Sequence, residues 1–295
     1  MNSSYRMAAC AAIVLCMSST SSGQLVADDG FGGGVIGDLD GRAGGSGWSS
    51  SWLSIGASPT IVTATGLIYP GLATTEGAAV TPAAARRSPN SIYERSYPPL
   101  ATGHVLYVSF LLRPDVDAGA WGGISFGTAP DKASIGLPIG AAGFGIALSD
   151  GTSDITTMTP IEGETSLFVV RINDFAMPDL LSFKVYINPV VGEAEPGWPD
   201  ASLWQLGPMP LPTTVAIDNG TGWTTDEIRI GTTWASVLPT PPSCAADFDG
   251  SGAVDGADLA ILLGAWGGSA GDLTGDSLTD GADLAVLLGA WGPCL

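Results

Sequence analysis

Two acidic stretches near the end of the sequence repeat the same residue types 25 positions apart: DFDGSGAVDGAD at 247–258 and DLTGDSLTDGAD at 272–283. Each places oxygen-bearing groups at positions 1, 3, 5, 7, 9 and 12 of a twelve-residue loop, the pattern that gathers the six or more oxygen ligands of Ca²⁺. The spacing therefore predicts two Ca²⁺ sites. The candidate ligands are Asp247, Asp249, Ser251, the carbonyl of Ala253, Asp255 and Asp258 in the first loop, and Asp272, Thr274, Asp276, the carbonyl of Leu278, Asp280 and Asp283 in the second.

The segment that contains both loops is strongly acidic. Residues 244–295 include eight Asp and no Lys, Arg or His. So many carboxylates in so short a segment repel one another unless a cation lies among them. The alternative interpretation is an acidic, helix-capping repeat without a metal, but it does not explain why Asp recurs at the same loop positions in both copies.

Position 6 of each loop requires a sharp turn. Gly252 occupies this position in the first loop and Ser277 occupies it in the second. Because glycine adopts left-handed backbone angles most easily, we expect the turn at Ser277 to be strained.

An apolar stretch of helical period follows each loop. Asp258 and Asp283 are expected to cap the two helices. One helix cannot bury its apolar face alone, so we expect the two faces to pack together. The faces consist of Leu259, Leu262, Leu263 and Trp266 in the first helix, and of Leu284, Leu287, Leu288 and Trp291 in the second.

Four cysteines are present, and Cys10 and Cys16 fall in a predicted export signal. The mature chain keeps Cys244 and Cys294, and an even pair in an exported protein suggests a disulfide. Two free thiols are the alternative. A disulfide would join the two ends of the repeat and contribute about 4 kcal/mol in the chain-entropy model.

The tandem loops and their helices resemble a type I dockerin over residues 244–295. The resemblance implies a small all-α domain that folds on Ca²⁺ and binds a cohesin-like partner. Dockerins typically contact cohesins through loop positions 10 and 11, often Ser-Thr, whereas this sequence has Gly256-Ala257 and Gly281-Ala282. The ending is also similar to the tails of many exported planctomycete proteins.

The N-terminus has the pattern of an export signal over residues 1–23. Arg6 precedes the apolar run MAACAAIVLCM at 7–17, and small residues precede the expected cleavage before Gln24. A lipoprotein signal that uses Cys16 is the alternative. No second apolar run is long enough to span a bilayer. We therefore expect a secreted, extracellular or cell-surface protein without a membrane span.

Charge and composition narrow the class of ligand. The formal net charge of −19 at pH 7 argues against a nucleic-acid partner. Only 13% of residues are charged, and the chain has 42 Gly and 21 Pro. This composition is typical of a turn-rich β protein rather than of a disordered chain.

Residues 24–237 contain short apolar runs separated by Gly, Pro, Asn and Asp, and their lengths are those of strands. The run LSFKVYI alternates, with Leu181, Phe183, Val185 and Ile187 on one face. Many short strands without a long helical period predict a mainly β fold, a two-sheet antiparallel sandwich. The string LPTPPS, residues 238–243, predicts a stiff linker to the tail.

The strings YVSFLLRP, KVYINP and TDEIRIGTTW, with DLDGRAGGSGW near the start, resemble a laminin G-like or concanavalin A-like jelly roll. The resemblance implies two curved sheets whose concave face or rim loops bind glycans or proteins. It also makes Asp218 and Asp226, near Asn219, candidate ligands of a further Ca²⁺.

No residue of the sandwich has the sequence context of a catalytic group. Glycoside hydrolases need two carboxylates at a set separation, whereas Glu162 and Glu164 flank a glycine in a turn-like string. His104 is the only histidine, and Ser109 lies within a strand rather than on a nucleophile elbow. We therefore assign no catalytic residue.

Aromatic rings on loops can stack on the apolar faces of sugars, so Trp121, Trp198 and Trp223 are candidate glycan contacts, with Trp204 as a further one. The sequence thus predicts an exported non-catalytic binding protein. Its sandwich would recognise a polysaccharide, a cell-surface ligand or a protein, and its tail would attach to a partner. The alternative is a polysaccharide-degrading glycoside hydrolase carried by a dockerin. A tail that only stabilises the sandwich is a third interpretation.

Overall fold

The computed structural model describes residues 23–32, 36–55, 59–75, 77–81, 91–100, 105–127, 132–174, 180–206, 211–240 and 244–294. Residues 1–22 of the expected export signal lie outside this part of the chain. His104 and residues 241–243 of the expected linker lie outside it as well.

Strands make up most of the regular structure. In chain order they are β1 (Leu25–Asp29), β2 (Gly37–Asp38), β3 (Leu53–Ser54), β4 (Ile61–Thr63), β5 (Ala78–Thr81), β6 (Ser91–Ser96), β7 (Val105–Pro114), β8 (Gly122–Phe126), β9 (Ala133–Leu137), β10 (Gly145–Leu148), β11 (Ser153–Ile155), β12 (Ser166–Asp174), β13 (Leu180–Ile187), β14 (Ala201–Leu206), β15 (Thr214–Asn219), β16 (Trp223–Gly231), β17 (Ala253–Val254) and β18 (Gly292–Pro293). The helices are α1 (Trp234–Val237), α2 (Gly256–Gly264) and α3 (Gly281–Gly289).

Strands β1 to β16 form two antiparallel sheets. Within the described residues, one sheet has nine strands in the order β14-β13-β12-β7-β16-β5-β4-β2, with β1 paired to β16. The other has seven strands in the order β11-β10-β9-β8-β15-β6-β3. This arrangement confirms the prediction of a mainly β, antiparallel sandwich.

Alternating side chains from both sheets form the core between them. On β13, Leu181, Phe183, Val185 and Ile187 all belong to this core, as their alternation predicts. Across the neighbouring strands β7 and β12, the rings of Phe110 and Phe168 stack with their centroids 4.9 Å apart.

A second apolar cluster covers the opposite face of the nine-stranded sheet. Trp234 and Val237 of α1 pack there against side chains of β7, β12 and β13. Leu238, which begins the expected linker, is buried in the same cluster, and Pro239 accepts a hydrogen bond from the N–H of Ala73. The chain therefore stays attached to the sandwich for at least two residues into the expected linker.

Residues 244–294 have a small core of their own. Ala246, Val254, Leu262 and Leu287 are buried there, and both cysteines pack against them. The segment contains α2 and α3, and it also contains the paired strands β17 and β18, so it is not entirely helical.

The expected mutual burial of the two apolar helix faces is only partly present. Leu262 and Leu287 are buried, whereas Leu263, Trp266, Leu288 and Trp291 each remain about half exposed. On an α-helix successive residues are about 100° apart. Leu263 and Leu288 therefore fall to one side of the buried Leu262 and Leu287, whereas Trp266 and Trp291 lie beyond the ends of the two helices.

Among the described residues, no helix has both the length and the apolar character needed to cross a membrane.

A buried ion pair joins the two sheets near the N-terminal strand. Arg95 on β6 donates to the carboxylate of Asp29 on β1, and each side chain is only 2% exposed. Asp29 also accepts hydrogen bonds from the indole of Trp52 at 2.8 Å and from the N–H of Phe31 at 2.9 Å. Desolvation lowers the pKa of Arg95, and the charge of Asp29 opposes that shift.

We expect Arg95→Met to lower the free energy of unfolding by about 3–5 kcal/mol, because it leaves the Asp29 carboxylate buried without its cation. Urea unfolding followed by tryptophan fluorescence measures the loss. The matched control is Arg113→Met, which removes the ion-pair partner of Asp115, whose side chain is 27% exposed, and which should cost less than about 1 kcal/mol. Equal losses in the two variants would contradict the assignment.

Candidate functional site

The first acidic loop brings three predicted ligands together. One carboxylate oxygen each of Asp247, Asp249 and Asp258 lies within 4.8 Å of the other two. Hard oxygen donors grouped at this separation are the type of ligand that Ca²⁺ prefers. The donor set therefore fits a calcium ion. Ser251 and Asp255, by contrast, direct their side chains to the backbone at Ala253 and Ala257.

Backbone N–H groups hold these carboxylates in place. Asp247 accepts from Ser251 at 3.0 Å and from Gly252 at 2.8 Å, one bond to each carboxylate oxygen. Asp258 accepts from Phe248 and Asp249 with one oxygen and from Asp255 with the other. The bond from the Asp255 N–H is the main cause that lowers the pKa of Asp258.

The same bonds correct the prediction of the helix caps. The N-cap of α2 is Asp255 and that of α3 is Asp280, three residues earlier than predicted. Asp258 and Asp283 occupy the third helical position, where each accepts from the N–H of its N-cap residue to form a capping box. Each carboxylate thus fixes the start of a helix and faces the loop with its other oxygen.

The second loop repeats this arrangement with small differences. Asp272 accepts from the N–H groups of Gly275, Asp276 and Ser277, which outweigh its desolvation and lower its pKa. Asp283 accepts from Leu273 and from both the N–H and the hydroxyl of Thr274. Its pKa is lowered, chiefly by the N–H of Asp280.

The carboxylates of the second loop are less closely grouped than those of the first. The side chains of Asp276 and Asp280 accept from the N–H groups of Leu278 and Ala282. Among the described residues, this loop has no three carboxylates within the separation seen in the first loop.

The turn at position 6 is left-handed in both loops. Gly252 has a φ of +87° and Ser277 has a φ of +73°. The left-handed region costs an L-residue energy that glycine avoids. The strain that the sequence predicts at Ser277 therefore corresponds to an observed backbone angle.

Cys244 and Cys294 form a disulfide in the structure, with their Cα atoms 5.7 Å apart. The Sγ atom of Cys294 lies 3.7 Å from a carboxylate oxygen of Asp247. The bond therefore lies directly beside the first loop.

The predicted glycan contacts differ in exposure. Trp223 is only 1% exposed: its indole packs in the sandwich core and its Nε1 donates to the carbonyl of Gly119 at 3.0 Å. It cannot stack on a surface ligand, so this assignment was wrong. Trp198 is 89% exposed and Trp204 is 58% exposed, and Trp121 is half-buried at the rim of a groove.

The loop that carries Trp198, between β13 and β14, is anchored at two points. The carboxylate of Asp200 accepts from the N–H of Ile187 at 2.7 Å. Glu195 accepts hydrogen bonds from Tyr107, Tyr186 and Arg171. Although desolvation of Glu195 opposes them, these three donors lower its pKa. Trp198 is therefore presented on a well-connected loop.

A groove on the seven-stranded sheet was not anticipated from the sequence. Two adjoining cavities, of about 150 and 520 Å³, share Lys132, Ser134, Pro138 and Ile139 in their lining. Lys132 forms an ion pair with Asp218 beside Trp121. The groove thus combines an aromatic ring with a neutral pair of charged groups that can donate to and accept from hydroxyl groups.

Gly123 lines this groove and contributes no side chain to it. Gly123 on β8 and Gly136 on β9 face each other with φ of +148° and +127°. A Cβ atom on Gly123 would meet the carbonyl oxygen of Ile135 at 1.9 Å, and one on Gly136 would meet that of Gly122 at 2.3 Å. Only glycine fits at both positions.

The further calcium site suggested by the jelly-roll resemblance is not assembled. Asp218 lies on the seven-stranded sheet with Lys132, whereas Asp226 lies buried in the nine-stranded sheet. Desolvation raises the pKa of Asp226 to about 9, and its two oxygens accept from the N–H groups of Leu67 and Glu227.

Glu162 and Glu164 are exposed on a turn, which is closed by a hydrogen bond from the N–H of Glu164 to the carbonyl of Ile161. Neither lines the groove. Ser109 is fully buried and donates to the carbonyl of Val237 at 2.6 Å. Glu162 and Glu164 therefore do not form a carboxylate pair in a cleft, and Ser109 is not exposed as a nucleophile.

Solved structures with a similar arrangement of strands have little sequence in common with this chain. Domain 4 of AbnA, a GH43 extracellular arabinanase from Geobacillus stearothermophilus, was solved with arabinotriose; it is 14% identical, has a TM-score of 0.45, and the match covers 72% of this chain and 93% of that one. An endo-1,3-beta-glucanase from Streptomyces sioyaensis is 12% identical with a TM-score of 0.43, covering 72% and 96%. Lectin UEA-II, solved with galactose, is 12% identical with a TM-score of 0.35, covering 68% and 99%.

No known family model matches the chain. No curated protein matches it either. The similarities to solved structures are too weak to assign a ligand or an activity, so function has to be argued from the residues themselves.

We expect Ser277→Gly to stabilise the C-terminal segment by about 1 kcal/mol, because it relieves the left-handed strain while keeping the N–H that bonds to Asp272. Thermal unfolding followed by the helical circular dichroism signal measures the gain. The control is Ser269→Gly, an exposed position without a positive φ, where the same change should give no gain. A lower melting temperature for Ser277→Gly would contradict the interpretation.

Proposed function

We propose that this protein is an exported, non-catalytic binding protein with two recognition units. Its C-terminal segment, residues 244–294, is a dockerin-like unit that holds two Ca²⁺ ions and attaches to a partner protein. Its sandwich binds a glycan in the groove of the seven-stranded sheet. The observation that carries the proposal is the convergence of Asp247, Asp249 and Asp258 on one point of the first loop.

Bound Ca²⁺ would offset the electrostatic repulsion between the loop carboxylates, which no basic side chain of the segment balances. Backbone N–H groups partly satisfy the carboxylates of Asp247 and Asp258, yet the segment contains no basic side chain to balance their charge. Like charges held a few ångströms apart repel strongly where solvent is partly excluded. A divalent cation reverses the sign of that interaction and leaves the N–H bonds in place.

The surface of the tail supports attachment to a partner. Leu263 on α2 and Leu288 on α3 are half exposed, and so are Trp266 and Trp291, which follow the two helices. The positions 256–257 and 281–282 carry only glycine and alanine, so a partner would meet a smooth apolar helix start rather than hydroxyl groups. A cohesin-like protein is the partner class that the dockerin resemblance suggests.

The groove on the sandwich supports a neutral glycan as ligand. Trp121 offers a ring for the apolar face of a sugar, and the Lys132–Asp218 pair offers both donors and acceptors. A charged ligand would compete with that internal pair, whereas sugar hydroxyl groups can bond to both of its members. The absence of a side chain at Gly123, which lines the groove, leaves room for a sugar chain to lie close to the sheet.

We expect Asp247→Ala combined with Asp272→Ala to abolish calcium-dependent folding of the tail, because both loops lose the carboxylate that organises position 1. Circular dichroism and thermal unfolding of the full chain, in Ca²⁺ and in chelator, give the measurement. The charge-matched control is Glu162→Ala with Glu164→Ala, which should unfold as the parent does. If chelator leaves the parent spectrum and melting temperature unchanged, the calcium assignment is wrong.

We expect Trp121→Ala to weaken glycan binding by about tenfold, the upper range for loss of one aromatic contact. A glycan array in Ca²⁺ and in chelator identifies the ligand, and titration calorimetry measures the affinity. Trp291→Ala is the matched control, because Trp291 is half exposed in the tail and does not line the groove. A blank array would overturn the glycan proposal in favour of a protein ligand.

The alternative function is a glycoside hydrolase carried by a dockerin. Its test is hydrolysis of a panel of plant and algal polysaccharides by the parent and by the Glu162→Ala, Glu164→Ala variant. Activity that disappears in the variant would replace the non-catalytic proposal.

A further inference from the structure

Residues 292–294 form backbone hydrogen bonds with the first of the two proposed calcium loops. Ala253 and Val254, at positions 7 and 8 of that loop, pair antiparallel with Pro293 and Gly292 of β18. The N–H of Cys294 extends the pairing by donating to the carbonyl of Gly252 at 2.9 Å. The carbonyl of Ala253 is a predicted calcium ligand, so this pairing touches the part of the loop that must face the ion.

The second loop has a corresponding partner. Thr279, at position 8, donates its N–H to the carbonyl of Gly268 at 2.6 Å and accepts from the N–H of Gly267 at 2.9 Å. Gly267 and Gly268 follow α2, just as Gly292 and Pro293 follow α3. Each loop is therefore bonded to the segment that follows the helix of the other repeat.

The two supporting segments are held in different ways. Gly267 and Gly268 lie only a few residues before the second loop, so the chain itself keeps them close to Thr279. The segment 292–294 follows the second helix and is far in sequence from the first loop, so bringing them together closes a long loop at an entropic cost. The disulfide from Cys294 to Cys244, three residues before Asp247, fixes this second arrangement.

We propose that the two calcium sites are positioned crosswise, the second by Gly267-Gly268 and the first by the stretch from Gly292 to Cys294 with its disulfide. Pre-organising a binding loop raises affinity by removing the ordering cost from the binding step. The affinity of the first site thus depends on the disulfide and on the final residues, and the affinity of the second does not. The inference rests on the proposed calcium function and concerns how its two sites are held.

A pair of matched glycine substitutions tests the crosswise arrangement. Gly292 and Gly267 have φ of +126° and +77°, and a Cβ atom at either position would meet nothing within 4 Å. Alanine therefore perturbs only the backbone of each supporting segment. The control is Gly289→Ala at the end of α3, where φ is not positive and a Cβ also meets nothing.

The readout is calcium titration of the ¹⁵N-labelled full chain by NMR, which resolves the two sites without further mutation. The N–H of Gly252 reports the first loop and that of Ser277 reports the second, because each bonds to the position 1 carboxylate of its own loop. We expect Gly292→Ala to weaken the first site by about tenfold and the second by less than about twofold. Gly267→Ala should give the opposite pattern, and Gly289→Ala should change neither site.

Loss of the disulfide provides the second measurement. Reduction of the parent chain, or Cys244→Ser with Cys294→Ser, should weaken the first site by at least about tenfold and leave the second nearly unchanged. The crosswise inference is wrong if each glycine substitution lowers the calcium affinity of the loop in its own repeat. It is also wrong if loss of the disulfide lowers the calcium affinity of both sites equally. If neither amide responds to Ca²⁺ in the oxidised parent chain, the proposed calcium function itself fails.

Discussion

The structure depends throughout on supplying donors to carboxylates in a chain whose net charge is −19. In the sandwich, where basic side chains are present, Asp29 receives a guanidinium, an indole N–H and a backbone N–H. In the tail, where no basic residue exists, the chain turns around each carboxylate and offers backbone N–H groups instead. The acidic residues of the tail therefore also define its local fold. The turns that hold Asp247 and Asp272 are the loops themselves, and Asp258 and Asp283 close each loop and complete the capping box at the start of each helix.

The two proposed recognition surfaces differ in how they are built. In the tail loops, side-chain oxygens converge and backbone N–H groups hold them in place. A small cation is therefore the ligand that this surface suits. The groove of the sandwich instead has no side chain at Gly123, where a Cβ atom would meet the carbonyl oxygen of Ile135, and it places Trp121 and a charge-neutral ion pair nearby. A groove with an exposed backbone, an aromatic ring and paired charges suits an extended ligand with many hydroxyl groups. Each surface matches its proposed ligand without help from the other.

The sequence allowed prediction of whatever depends on local spacing. Alternation along β13 and the strand lengths were sufficient for the antiparallel sandwich, and the oxygen-bearing positions were sufficient to locate both loops. The helix caps were misplaced because Asp255 and Asp258 are both good capping residues, and the structure uses them together. Trp223 was misjudged because its glycine-rich flank looks like a loop, whereas it begins a fully buried strand. Lys132 and Asp218 meet only through the order of strands β8, β9 and β15, which no local pattern encodes.

The proximity of Cys244 and Cys294, with Cα atoms 5.7 Å apart, also bears on how such a unit can be reused. The two cysteines near the ends of the double repeat therefore lie side by side. Domains whose termini lie side by side can be transplanted into a surface loop of an unrelated protein with little disturbance to either. The proximity of Cys244 and Cys294 therefore suits the double repeat to insertion into a surface loop of another protein.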